Sequence, residues 1–233
     1  MKAIHIFRKE LRHYFVSPIA YIVISVYLLV TGWFFFTPFF IFDQASLRDF
    51  FELLPVIFSF IIPAVTMRLF SEELSVGSYE LLLTMPVTRN DIILGKFLAG
   101  TSFAAVMLIP TLAYPLTISF LGQLDWGPVA GGYFGALLLA AAFTAVGIFA
   151  SSLTRNQIIA FIVAVIICFA LTVIDRMLFF FPPPVLDILT YLGAGEHFSN
   201  ISKGVVDSRD IIYFLSVCFL GLYGTSLAIR RRT

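Results

Sequence analysis

Six long stretches of this chain are almost empty of charge. Residues 17–42, 53–70, 97–122, 127–153, 157–174 and 211–229 hold one charged side chain between them, Arg68. A helix needs about 20 apolar residues to cross the roughly 30 Å of hydrocarbon in a bilayer, and these stretches reach or approach that length, the second being short. A soluble core built from 233 residues would not need so much apolar surface, and the chain is 60% hydrophobic with only 12% charge. The expected architecture is an all-α polytopic membrane protein, one domain over 1–233 with six transmembrane helices. The first stretch is far longer than the roughly 7–15 apolar residues of a signal peptide and no small-x-small cleavage site follows it, so it is expected to remain as a span.

Lys and Arg set the orientation. With the N-terminus in the cytoplasm, eleven of the 15 bases fall on the cytoplasmic side, among them Lys2, Arg8, Lys9, Arg12, Arg68, Arg89, Lys96 and Arg230 to Arg232. Arg48, Arg176, Lys203 and Arg209 fall outside. The positive-inside rule therefore predicts cytoplasmic termini and a cytoplasmic 71–96 segment. The basic tail is explained as a topology anchor, and nothing in a net charge of +1 calls for nucleic acid.

Three segments outside the runs carry more pattern than a turn requires. In 1–16, Ile4, Phe7, Leu11 and Tyr14 recur at helical spacing between bases, which predicts an amphipathic helix in the membrane interface. In 71–89, Ser71 is placed to cap a helix of roughly a dozen residues, with Glu72 and Glu73 in its first turn where the helix dipole favours acids. Leu74 and Leu81 lie on one side of that helix, and Glu73, Gly77 and Glu80 on another. Thr84, Met85 and Pro86 end it, and Thr88-Arg89-Asn90-Asp91 has the form of a capping box that starts the third span. A helix lying across the inner face, one tight break away from a span, is shaped to be pushed. In 175–210, Pro182, Pro183 and Pro184 stop the fifth span. The apolar residues and the turn positions Gly193 and Gly195 that follow predict short helices re-entering the outer leaflet, as a gate or as a cap on the bundle.

The stretch MRLFSEELSVGSYELLLTMPVTRNDIILGKFLAG resembles the coupling region of the membrane subunits of type-2 class ABC exporters. The shared pattern is an E-E pair, a G-[ST]-x-E-x-L-L-L core before T-x-P-[VI], and a G-K-[FY] exit. The two ends of the chain, FRKELRHYFVSPIAYIVISVYLLVTGWFFF and EHFSNISKGVVDSRDIIYFLSVCFLGLYGTSLAIRRR, are similar more narrowly to the gliding-motility permease subfamily and its relatives. The resemblance implies a non-catalytic permease of the bacterial inner membrane, paired with a second copy of itself or a related permease. It also implies two copies of a separate ATPase that binds ATP and Mg, and an auxiliary membrane-anchored periplasmic partner. By the same resemblance Glu72, Glu73, Gly77, Ser78, Glu80, Thr84, Pro86 and Arg89 form the ATPase-docking surface. The acids would meet bases of the ATPase and Gly77 would permit close approach, so that Glu73→Lys with Glu80→Lys would uncouple the complex without unfolding it. An outer gate would involve Pro182 to Pro184, Gly193, Gly195 and His197.

The residues themselves argue against other classes. Gly95-Lys96 lacks both the upstream Gly and the following Ser/Thr of a phosphate-binding loop, so energy must come from another subunit. No nucleophile elbow and no Ser/His combination within a span supports a membrane enzyme. Charges in or directly at the ends of the runs are confined to Arg68 and the Asp175-Arg176 pair, the latter expected as a local ion pair, which disfavours ion-coupled transport and suits an apolar or amphiphilic passenger. His197 beside Glu196 has no ligand cluster around it in sequence and is expected as a satisfied histidine. Cys168 and Cys218 fall inside runs, where free Cys acts as a small hydrophobe. The remaining alternative is a permease-like subunit that transmits ATPase work to periplasmic partners without moving cargo itself.

Overall fold

The structure, a computed structural model, describes residues 2–42, 47–79, 87–122, 124–180 and 191–230. Among them the regular structure is helical throughout. In chain order the helices are α1 (Lys2–Val16), α2 (Pro18–Phe42), α3 (Arg48–Thr66), α4 (Arg68–Val76) and α5 (Arg89–Leu108). A 3-10 turn (Ile109–Leu112) leads into α6 (Ala113–Leu121), followed by α7 (Trp126–Leu153) and α8 (Gln157–Val173). A second 3-10 segment (Ile174–Phe180), α9 (Ala194–Ser202) and α10 (Ser208–Arg230) complete the described chain. Six helical segments among these residues are long and apolar enough to cross a membrane, as the uncharged runs predict.

The bundle is organised around α7. It buries 72% of its apolar window inside the protein, whereas the windows of α2, α8 and α10 bury 22% and leave their remaining surface for lipid. Its small residues Gly131, Gly132, Gly135, Ala136 and Ala140 are all buried, which lets neighbouring backbones come close. At Gly131 a Cβ would stand 2.3 Å from the carbonyl oxygen of Ile201 in α9, so no larger residue fits there without moving backbone. Phe58, Phe143, Phe198 and Phe214, from four different helices, fill the middle of the core.

α3 and α4 form one 29-residue span, Arg48–Val76, interrupted only at Met67. Its length is about 43 Å at 1.5 Å per residue, which exceeds the roughly 30 Å of hydrocarbon. This differs from a helix starting at an N-cap Ser71. Ser71 lies inside α4, where its hydroxyl donates back to the Met67 carbonyl. The cap comes from a distant residue: Ser151 Oγ accepts the N–H groups of Phe70 and Ser71, each at 3.0 Å, and donates to the Met67 carbonyl at 2.7 Å. A helix start exposes N–H groups that need acceptors, and here the fourth span supplies one.

α4 ends at Val76, earlier than expected, because Gly77 takes φ +77°, the left-handed conformation that stops a helix and that glycine adopts at no steric cost. Among the described residues nothing stands within 4 Å of the position its Cβ would take, so within the chain Gly77 serves the turn. α5 starts at the capping box read from the sequence. Thr88 Oγ1 accepts the Asp91 N–H at 3.2 Å, and Asp91 Oδ2 accepts the Thr88 N–H at 3.1 Å. Thr88→Ala should lower stability by about 1 kcal/mol, measured as the shift in thermal unfolding of the purified chain.

Candidate functional site

At the end of the bundle where α4 emerges, α1, α4 and α5 are joined by a buried ionic cluster. Lys96 Nζ lies 2.9 Å from Glu73 Oε1 and 3.1 Å from Glu10 Oε1, and Lys9 closes the cluster at 3.8 Å from both. Only 1% of the Lys96 side chain is exposed, against 10% for Glu10 and 14% for Glu73, so the pairs are largely out of water. The ammonium also sits 5.1 Å from the centre of the Phe70 ring, within reach of a cation–π attraction. Tyr14 adds a further tie: its hydroxyl donates to the Val65 carbonyl of α3 at 3.1 Å. Burial, with the Glu10 charge adding to it, pushes that phenol well above its usual range.

This geometry reassigns Glu73. Its carboxylate pairs with Lys96 inside the chain, so Glu73→Lys would put a third base into a buried cluster and damage the fold; it is no clean test of coupling. Lys96, read in the sequence as a cytoplasmic base and as the Lys of the G-K-[FY] exit, lies two turns inside α5 and holds the cluster together. No sequence signal links it to Glu10 and Glu73, since the three are brought together only by the crossing of three helices.

Glu72 and Ser78 face a groove of about 300 Å³ lined also by Lys9, His13 and Arg68. Ser75, Val76 and Gly77 form an exposed tip, and at the start of α5 Thr88 is exposed and Arg89 half-exposed. Glu80, Thr84 and Pro86 lie outside the described residues.

The opposite end carries the candidate gate residues. Pro182, Pro183 and Pro184 lie outside the described residues. His197 in α9 is buried, with Nδ1 2.6 Å from Asp210 Oδ1 of α10 and Nε2 3.1 Å from the Tyr191 carbonyl oxygen. Its ring stacks on Tyr213 at 4.2 Å, and the Tyr213 hydroxyl donates to the Leu192 carbonyl at 2.6 Å. Asp175 does not pair with Arg176 as expected. Its Oδ2 accepts the Glu196 N–H at 2.8 Å at the start of α9, where carboxylates suit the helix dipole. Gly193 and Gly195 leave the room this carboxylate occupies, since a Cβ on either would lie within 2.5 Å of it. Asp175, His197 and Asp210 thus hold α9 to the ends of α8 and α10.

The sequence model of the ABC-2 family transporter proteins matches residues 4–216, nearly the whole chain and both ends of the bundle. The chain belongs to the ABC-2 family of transporters. No curated protein matches it. As an ABC-2 member it is the multi-pass membrane permease subunit of an ABC transporter, a class typically without catalytic activity of its own, and it works with an ABC ATPase. The match is at the level of the ABC-2 family and does not reach the gliding-motility subfamily.

Proposed function

We propose that this ABC-2 permease belongs to an ATP-driven exporter of a bacterial inner membrane, with both termini cytoplasmic. It pairs with a second copy of itself or a related permease above two ATPase subunits that bind ATP and Mg. The observation that carries this reading is the 29-residue Arg48–Val76 helix, longer than the hydrocarbon is thick and locked at its projecting end to α5 and α1 by Lys96. A push on the tip at Val76 and Gly77 would act on two spans together, because bending α4 alone would break a buried ionic cluster. ATPase closure would then rock the bundles in an alternating-access cycle. At the far end α9, tied down by Asp175 and Asp210, would act as the outer gate for an apolar or amphiphilic passenger. The docking surface of this proposal is the tip, Arg89 and the 80–86 segment with Glu80, Thr84 and Pro86; Glu72, Glu73 and Ser78 face inward. The two ends of the chain resemble those of gliding-motility permeases, and on that reading an auxiliary periplasmic partner would be a separate chain.

The test is gentle detergent co-purification of the tagged chain from its native host beside Val76→Glu and Glu80→Lys variants. The expected result is an ABC ATPase recovered with the wild type and lost from both variants, while the thermal unfolding of the Val76→Glu variant, at an exposed position, stays within about 0.5 kcal/mol of wild type. Absence of an ATPase from the wild-type complex would remove the coupling argument. ATPase activity without movement of any cargo in proteoliposomes would favour a force-transmitting subunit.

A further inference from the structure

The groove beside the ionic cluster has a lining unlike a lipid-facing surface and unlike a core. Its floor is apolar, formed by Ile19, Ala20 and Val23 of α2, Ala64 and Val65 of α3 and Phe103 of α5. Its polar lining carries three bases, Lys9, Arg68 and Lys96, balanced by three acids, Glu10, Glu72 and Glu73. The cluster accounts for Lys9, Lys96, Glu10 and Glu73. That leaves one base and one acid. Among the described residues the Arg68 and Glu72 side chains have no hydrogen bond or ion pair, and the Arg68 Nε is buried without a partner. They stand four residues apart on one face of α4, about 5–6 Å between Cβ atoms. Both lie in the last turns of the Arg48–Val76 span, so an interfacial placement of that end puts them at the depth of lipid head groups.

We propose that this groove holds the head of a phospholipid with a free primary amine, a phosphoethanolamine head. Its phosphate binds the Arg68 guanidinium and its ammonium binds the Glu72 carboxylate, while the upper acyl chain lies along Ile19, Ala20 and Val23. Arg offers a planar fork of donors that matches phosphate oxygens, and charge-assisted bonds of this kind are the strong ones. A neutral lining with one free charge of each sign selects a zwitterion over a net anion. The carboxylate selects an amine that can donate N–H bonds over a quaternary ammonium that cannot. Such a lipid would wedge α4 against α2 and fix the angle of the projecting helix. The inference needs only the membrane span and its groove, and is independent of the ATPase contact.

The experiment is native mass spectrometry of the delipidated full-length chain, titrated with phosphatidylethanolamine, phosphatidylcholine and phosphatidylglycerol of identical acyl chains, and with inorganic phosphate alone. The ethanolamine lipid should bind about tenfold more tightly than either other lipid, the worth of roughly one charge-assisted hydrogen bond. Arg68→Gln should weaken it about tenfold, and Glu72→Gln should bring ethanolamine and choline lipids to parity. Equal binding of the three lipids by the wild type would overturn the proposal, as would preference for the glycerol lipid, retention of inorganic phosphate without lipid, or an unchanged amine preference in Glu72→Gln. The wild-type competition decides even if a variant fails to fold.

Discussion

Lys96→Met should destabilise the folded chain by about 3–5 kcal/mol, because removing one partner of a buried ionic group leaves the other charges uncompensated in a poor dielectric. Lys96 answers two carboxylates, Glu10 at 3.1 Å and Glu73 at 2.9 Å, and after its loss only Lys9 remains, at 3.8 Å from each. The measurement is thermal or denaturant unfolding of the purified chain in detergent, followed by intrinsic fluorescence. The comparison is Glu52→Gln, which breaks the exposed Arg48–Glu52 pair and should cost no more than about 0.5 kcal/mol despite a similar 2.9 Å contact, since water screens exposed pairs. Glu10→Gln combined with Glu73→Gln in the Lys96→Met background should recover much of the loss, because the cost lies in the stranded carboxylates. A Lys96→Met variant as stable as Glu52→Gln would show that the cluster is not the joint between α1, α4 and α5.

Gly131→Ala should cost about 2–3 kcal/mol, at the upper end of what overpacking usually does. The added methyl would meet the Ile201 carbonyl oxygen at 2.3 Å and the Gly204 Cα at 3.2 Å. Both are backbone atoms, which cannot rotate away as a side chain can, so α9 must shift off α7. Gly127→Ala, four residues earlier in the same helix, is the control: its new methyl would meet only the Asp125 carboxylate, at 3.4 Å, and stability should change little. Unfolding curves for the two variants check the difference, and equal curves would mean that α9 is not held closely at Gly131.

Chain chemistry read locally was enough for a good part of this protein. The spans follow from lengths of uncharged sequence, because lipid leaves the backbone no alternative to hydrogen bonds within a helix. The Thr88–Asp91 box was legible because both partners lie within one turn. The small residues of α7 suit the close contacts it makes, because short side chains let neighbouring backbones approach. The E-E pair and the G-[ST]-x-E core pointed to the ABC-2 family, where the match over 4–216 places the chain.

What sequence could not supply are the partners of single polar groups at helix crossings. Glu73 read as an outward acid because helical periodicity fixes which residues share a face and does not say what that face meets. Only the crossing of α1, α4 and α5 turned it onto Lys96, some twenty residues along the chain, and onto Lys9 of α1. Ser71 read as a cap because of its place after Phe70, whereas the acceptor came from Ser151 in another span. Asp175 read as the partner of its neighbour Arg176, yet the amides at the start of α9 took its carboxylate. The sequence by itself determined the membrane class, the number of spans and the family, because each depends on hydrophobicity and spacing along one strand of chain. The tertiary structure decided which charges are buried and where the projecting helix is locked, because those depend on distances between residues far apart in sequence.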